Sequence, residues 1–160
     1  MPDTIPTDDR ARTARQAWLA VLAKASLAEL EAAWDELAEK PAYRRLRPGE
    51  TGLVMLRGRI GGTGQPFNLG EMAMTRAAVQ LLDTAGQVSY AGFGHVAGRS
   101  TRRAELVALF DAMLLDPARH AVITADVVAP LAARQQTSKA VRTAHVMASK
   151  VDFFTMVRGE

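Results

Sequence analysis

Apolar positions in the first forty residues recur every three to four residues, which is the spacing of helices that bury one face. The first stripe follows the capping residues 7–9 and consists of Ala14, Ala17, Trp18, Val21 and Leu22. The second stripe starts after Ser26, which with Glu29 has the S-x-x-E form of a capping box, and consists of Leu27, Leu30, Trp34 and Leu37. We therefore expect a helical pair over residues 8–40, with both tryptophans in the core.

Alternating patterns and glycine turns replace the helical spacing between residues 43 and 97. Most of the glycines lie here, and glycine costs about 1 kcal/mol relative to alanine within a helix. The expected strands are residues 43–47, 51–60, 67 to about 82 with a bulge at Gly70, and 87–96. Pro48-Gly49-Glu50 is expected to turn the chain between the first two strands. The connections are too short for crossover helices, so the pattern predicts a four-stranded antiparallel sheet.

Helical spacing returns in the last third of the chain. Ser100 or Thr101 is expected to cap a helix whose buried face is Leu106, Leu109, Phe110 and Met113. Asp116-Pro117 combines an N-cap residue with proline at the first helical position, and Pro130 leads a mostly polar third helix. We expect about three helices over residues 100–150. Strands segregated between helices predict an α+β fold, in a single domain over residues 1–160.

Composition excludes several kinds of chemistry. The chain is 48% apolar and 23% charged, as folded globular domains are. It has no cysteine, which excludes disulfides, a thiol nucleophile, iron–sulfur clusters and thiolate zinc sites. Its three histidines are scattered, so no metal or cofactor is expected. No apolar run approaches the ~20 residues of a membrane span, and the N-terminus lacks a secretory apolar region, so the cytoplasm is the expected location.

The distribution of charge makes nucleic-acid binding less favoured, but it stays an alternative function. The formal net charge is only +3. The excess lies in residues 99–160, where nine Lys and Arg face six Asp and Glu. Nucleic-acid-binding surfaces usually carry a denser basic stripe with aromatic residues that stack on bases. A basic nucleic-acid-binding module is therefore a less favoured hypothesis for the function.

Two glycine-rich stretches resemble phosphate loops but lack the required context. Residues 58–64 have no Gly-Lys-Ser/Thr ending and lead into a strand. Residues 92–97 match G-x-G-x-x-A, yet no second parallel strand with an acidic residue follows. A stand-alone phosphate-ligand enzyme would have to use the arginines beside these turns, and the candidate anion-binding residues are Arg57, Arg59, Arg76 and Arg99.

No catalytic residue can be assigned from the pattern. His95 alternates with Phe93 on its strand, which favours a core or interface histidine. Glu71 is an isolated acid in an apolar strand. The end of the chain is different, because large apolar residues at a terminus must dock on something. Residues 151–160 are predicted to be a partner-docking arm, with the partner-binding residues Phe153, Phe154, Met156 and Val157.

Several of these stretches together resemble the PhnG family, the small subunit of the carbon–phosphorus lyase system of bacterial phosphonate catabolism. The likeness runs from about residue 14 to the end. It is carried by Glu50-Thr51-Gly52-Leu53-Val54, Arg59, Gly61-Gly62-Thr63-Gly64, Phe67, Leu69-Gly70-Glu71, Thr75-Arg76-Ala77-Ala78-Val79, Gly98-Arg99 and the tail from Ser149 to Gly159.

The resemblance implies a subunit of a larger complex. Its partners would be PhnI, PhnH and PhnJ, with two copies of each subunit. The complex would form alpha-D-ribose 1-methylphosphonate 5-triphosphate from a nucleoside triphosphate and methylphosphonate, and PhnJ would later break the carbon–phosphorus bond on an iron–sulfur cluster. The family offers no motif here with a catalytic role, so the resemblance implies a non-catalytic or activating subunit.

Overall fold

Two helices open the part of the chain that the computed structural model describes, which is residues 9–83 and 86–149. Helix α1 spans Asp9–Leu22 and α2 spans Leu27–Asp35. The predicted capping box is confirmed, because the Glu29 backbone N–H donates to the Ser26 hydroxyl and the Ser26 N–H donates to the Glu29 carboxylate over 2.9 Å. These bonds from Ser26 hold the pKa of Glu29 below its ordinary value. The helical pair is as expected.

Three antiparallel strands follow, in the spatial order β1-β2-β3. Strand β1 is Tyr43–Arg59, β2 is Pro66–Leu82 and β3 is Val88–Ala97. The pairing of β1 with β2 shifts register next to Gly70, whose φ of 146° needs glycine, so the predicted bulge is confirmed. The α+β class and the antiparallel sheet are confirmed for the described chain.

The predicted count of four strands is wrong for the described residues, because residues 43–47 and 51–60 belong to one strand. Pro48 lies inside β1, which is an edge strand, so its missing N–H breaks no ladder. One register shift precedes this point, between Arg45 and Arg47, and another spans it, between Arg47 and Glu50, and these shifts absorb the irregular backbone. Gly49 passes so close to Thr101 that a Cβ there would lie 2.6 Å from Cβ of Thr101. The Pro-Gly pair therefore kinks the strand instead of turning the chain.

The last described part is helical. Helix α3 spans Thr101–Leu115 and is capped by Ser100, while α4 spans Pro117–Ile123 and is capped by Asp116. Helix α4 passes through a π turn at Thr124–Val128 straight into α5, Ala129–Ala148. Pro130 lies in the first turn of α5, so the predicted helix start is confirmed. The backbone nevertheless stays helical from α4 into α5, because the π turn contains Asp126, whose carbonyl the Pro130 ring would otherwise meet.

Helix α3 is the centre of the core. Every residue from 104 to 114 is buried, which is the pattern of a helix covered on all sides. One side lies on β2 and β3, and α1, α2 and α4 cover the rest. Ala104 and Ala108 face Gly94 of β3 so closely that a Cβ at Gly94 would overlap the Ala104 carbonyl oxygen. The glycines of the apparent nucleotide-loop motif thus allow close helix packing.

A fully buried carboxylate joins three elements of this core. Asp111 of α3 accepts two hydrogen bonds from the Arg15 guanidinium, at 3.1 and 2.7 Å. It also accepts one from the Trp18 indole at 2.9 Å and one from the Phe93 backbone N–H at 2.9 Å. Helix α1 and strand β3 are therefore both tied to α3 through one side chain. Trp18 has this polar partner at the edge of the core, while Trp34 packs within it.

Candidate interaction surfaces

The β1–β2 pair extends well beyond the rest of the sheet. Strand β3 pairs with β2 only from Met74 to Leu82, so residues 53–73 form a two-stranded projection that we call the hairpin arm. Large apolar side chains on the arm are exposed: Leu53 (63%), Met55, Leu56, Ile60 (76%), Phe67 and Leu69 (62%). They lie on both faces, because neighbouring residues of a strand point to opposite sides. Monomeric domains rarely expose such a continuous apolar surface.

Two of the candidate anion-binding arginines lie near the tip of the hairpin arm. Arg57 and Arg59 line a shallow depression with Gly62 and Pro66. The Arg59 guanidinium donates to the carbonyl of Gly64 over 3.1 Å. Arg59 thus holds the turn closed with one of its donors, while its remaining donors and Arg57 face solvent.

Arg76 belongs to a different surface, on the open face of the sheet opposite α3. The Glu50 carboxylate lies 3.3 Å from the Arg76 guanidinium and 3.1 Å from that of Arg47. His95 is the cross-strand neighbour of Arg76 and is exposed, so it is not a core residue. A cleft of about 380 Å³ lies over these residues and Val54. Arg76 is already paired with a carboxylate, which reduces its availability for an anionic ligand.

The four candidate arginines do not form one site. Arg57 is the cross-strand partner of Asn68. Asn68 lies eight residues from Arg76 along β2, which corresponds to about 26 Å of extended strand. Arg99 lies outside both clefts, exposed in the turn that precedes α3. Anion binding by any one of these side chains stays a prediction. A phosphate ligand held jointly by Arg57 and Arg76 is excluded by the distance.

The Arg103 side chain, in the first turn of α3, has a structural role. Arg103 donates to the backbone carbonyls of Ala23, Ala25 and Ala97, so its guanidinium joins the end of α1 to the end of β3. The local sequence pattern carries no signal for this structural role, because the carbonyls of Ala23 and Ala25 come from a segment 78 to 80 residues away.

Catalytic chemistry finds little support among residues 9–83 and 86–149. No three His, Asp or Glu side chains there are placed to hold a metal ion. The most buried acidic groups have structural partners: Asp111 in the core, and Glu105, which accepts from the Tyr43 hydroxyl at 2.8 Å. Burial, followed by this bond, raises the pKa of Tyr43. No helix of the described chain is long and apolar enough to cross a membrane.

Helix α5 is a surface that sequence reasoning missed. It was predicted as a mostly polar helix, but nothing was inferred from its charge. No acidic residue lies between Ala129 and Ala148, and this signal can be read from the sequence.

The predicted partner-binding residues follow α5 in the sequence. These residues, Phe153, Phe154, Met156 and Val157, lie outside the part of the chain that the structure describes.

An α+β domain whose hairpin arm exposes large apolar side chains on both faces is suited to work inside a protein assembly. Comparison with known proteins agrees. A family model described as phosphonate metabolism protein PhnG matches residues 13–159. The alpha-D-ribose 1-methylphosphonate 5-triphosphate synthase subunit PhnG of Rhizobium meliloti (strain 1021) is 44% identical over 161 residues, covering 100% of this chain and 99% of that protein. The chain belongs to the PhnG family.

Proposed function

We propose that this chain is a non-catalytic or activating subunit of a complex that forms alpha-D-ribose 1-methylphosphonate 5-triphosphate. The full-length similarity to a subunit of that synthase supports the reaction. The observation that supports a role through contacts is the hairpin arm, with Leu53, Ile60 and Leu69 each more than 60% exposed. Fully burying one such side chain is worth about 1.5–3 kcal/mol, so the arm offers a substantial driving force for assembly.

We further propose that the partners are PhnI-, PhnH- and PhnJ-type subunits, with two copies of each. The arm suits such partners because it presents backbone as well as side chains. Strand β1 is the edge of the sheet, and Thr51–Arg59 follows the kink at Pro48. An edge strand leaves a row of N–H and C=O groups open to another chain. Apolar faces and a free edge together favour a partner that wraps the arm.

We expect Leu53→Asp to weaken association with these partners about tenfold or more, since one buried leucine contributes about 1.5–3 kcal/mol. The measurement is co-purification after co-expression, followed by titration of the purified chain. Val122→Asp is the matched control, because Val122 is 55% exposed on α4, away from the arm. Equal binding by the Leu53→Asp chain and the unsubstituted chain would contradict the role of the arm.

The same preparation separates the alternatives. If the chain alone released the base from ATP in the presence of methylphosphonate, it would be an enzyme and not an assembly subunit. Salt-dependent binding of RNA or DNA by the chain alone would favour the hypothesis of a nucleic-acid-binding module, because phosphate contacts make the affinity fall steeply with salt. Failure of the unsubstituted chain to co-purify with any of the partners would reject the proposal itself.

A second prediction concerns the C-terminal segment, residues 151–160. We expect truncation after Lys150 to leave the circular dichroism of the body unchanged and to weaken co-purification, because Phe153, Phe154 and Met156 would each bury apolar area against a partner. Cells that depend on methylphosphonate should then stop growing. A truncated chain that unfolds, or one that assembles as well as the full chain, would show that the segment is not an interface.

A further inference from the structure

In the part of the chain that the structure describes, helix α5 is anchored to the body only at its beginning. Leu131 is 3% exposed, and the Gln135 side chain donates to the Val21 carbonyl of α1 over 2.9 Å. From residue 136 to residue 148 every position is exposed. That is about 20 Å of helix at 1.5 Å per residue. Isolated helices of this length are marginal in water, so the exposed part gains stability if another surface covers it.

The charged residues of this helix are all basic. They are Arg134, Lys139 and Arg142, His145 is a further basic residue, and the helix has no carboxylate. At about 100° per residue these four side chains fall within roughly 140° of the helix circumference. They therefore form a stripe along one side, which we call the basic stripe. Like charges so close together repel each other unless an acidic surface compensates them.

The structure provides almost no such compensation. The basic stripe borders a groove of about 630 Å³ between α1 and α5, which Lys24 also lines. Glu29 is the acidic residue of the groove. Its carboxylate is bonded to Ser26 and lies 3.9 Å from Arg134. Among the described residues, Lys139 and Arg142 have no carboxylate within ion-pair distance. Within residues 9–83 and 86–149, the positive charge of Lys139 and Arg142 at the groove is therefore uncompensated.

Exposed apolar residues on the same helix distinguish between the possible anionic occupants. Val141, Val146 and Met147 are 65%, 60% and 59% exposed. A nucleic acid or a free polyphosphate gains little from aliphatic side chains, and α5 has no Phe, Tyr or Trp on which a base could stack. A protein groove gains from both kinds of contact, as in helix-in-groove recognition. The combination favours a protein partner.

We propose that α5 docks through its basic stripe into an acidic groove of a partner subunit. This inference rests on the proposed function and adds a second interface to the hairpin arm. The charged contact gives orientation and a fast encounter, and the three apolar side chains add buried area around it. Docking also covers the part of α5 that lies beyond its contact with α1.

The test is charge reversal on the stripe. We expect K139E/R142E in the full chain to bind the partner subunits named above at least about tenfold more weakly, because like charges would then face each other across the interface. The salt dependence of binding should also become flatter or reverse. Titration of the purified chain at two salt concentrations measures both effects, and circular dichroism checks that the variant is folded.

Two further variants serve as controls. R12E/K40E changes the net charge by the same amount at exposed positions away from α5 and should bind normally. K139R/R142K keeps the charge and should also bind normally. Unchanged affinity of K139E/R142E would overturn the inference and leave the proposed function intact. So would an equal loss in R12E/K40E, or a stripe-dependent affinity of the chain alone for RNA or ATP. If the unsubstituted chain binds no partner, the proposed function fails as well.

Discussion

Replacing Asp111 by alanine is expected to lower the free energy of unfolding by about 3–5 kcal/mol, the usual cost of removing one member of a buried ion pair. The variant loses four hydrogen bonds, from Arg15, Trp18 and the Phe93 backbone. Since the Arg15 side chain is 32% exposed, water can hydrate part of it, which places the loss toward the lower end. Urea denaturation of the purified chain measures the change.

Two comparisons separate the network from a simple volume effect. Asp111→Asn keeps the size of the side chain but turns one acceptor into a donor, so it should still cost more than about 1 kcal/mol. Asp116→Ala removes a half-buried N-cap carboxylate from the neighbouring turn and should cost only about 1 kcal/mol. If Asp111→Asn proved as stable as the unsubstituted chain, the four hydrogen bonds would not be what holds α1 and β3 to α3.

Gly94→Ala is the second substitution for which we expect a large loss, of about 1–3 kcal/mol or more from overpacking. The new Cβ would overlap the Ala104 carbonyl oxygen and lie 2.9 Å from the Ala108 nitrogen. Both atoms belong to the backbone of α3, which cannot move aside as a side chain would. The sheet and the helix would have to separate, and thermal denaturation should show a clearly lower midpoint.

Gly52→Ala is its matched control. Gly52 also lies in a strand of the same sheet, but a Cβ there meets nothing within 4 Å and its φ is ordinary for an L-residue. We therefore expect a change within about 0.5 kcal/mol. Equal midpoints for the Gly94→Ala and Gly52→Ala proteins would show that close packing of α3 on β3 does not limit stability.

Local signals in the sequence predicted the helix ends well. The capping box at Ser26, the cap at Ser100 and the Asp116-Pro117 start each depend on side chains within three residues of the backbone groups that they satisfy. The bulge at Gly70 likewise needs only a residue that tolerates positive φ. Such features are written in short stretches of sequence, so they can be read without knowledge of the fold.

Features that depend on distant segments were predicted poorly. Pro48-Gly49 is a turn signal locally, but at the edge of a sheet and against Thr101 it becomes a kink. Pro130 correctly marks the first turn of α5, but the π turn that joins α5 to α4 without a break has no local signal. Asp111 was overlooked, although an acid inside the apolar run of α3 is itself a signal. Its partners Arg15 and Phe93 lie far away in sequence.

The candidate site was predictable only in part. The Arg57 and Arg76 side chains were grouped as arginines near the glycine turns, and only the strand register shows the length of sheet between them. Exposure of the arm was equally hidden, since Leu53 and Leu69 have the same alternating pattern as strands that are covered. Whether a strand is covered depends on where β3 ends, which no residue of the arm encodes.

The hairpin arm also has a consequence for how the chain must be produced. Copies synthesised in excess of their partners would carry Leu53, Ile60 and the free edge of β1 uncovered, and such surfaces are recognised by chaperones and proteases. We expect orphan copies to be degraded faster than assembled ones, so that the cellular amount of this chain follows the amount of its partners. Balanced synthesis of the chain and its partners would then matter more for its abundance than its own folding stability.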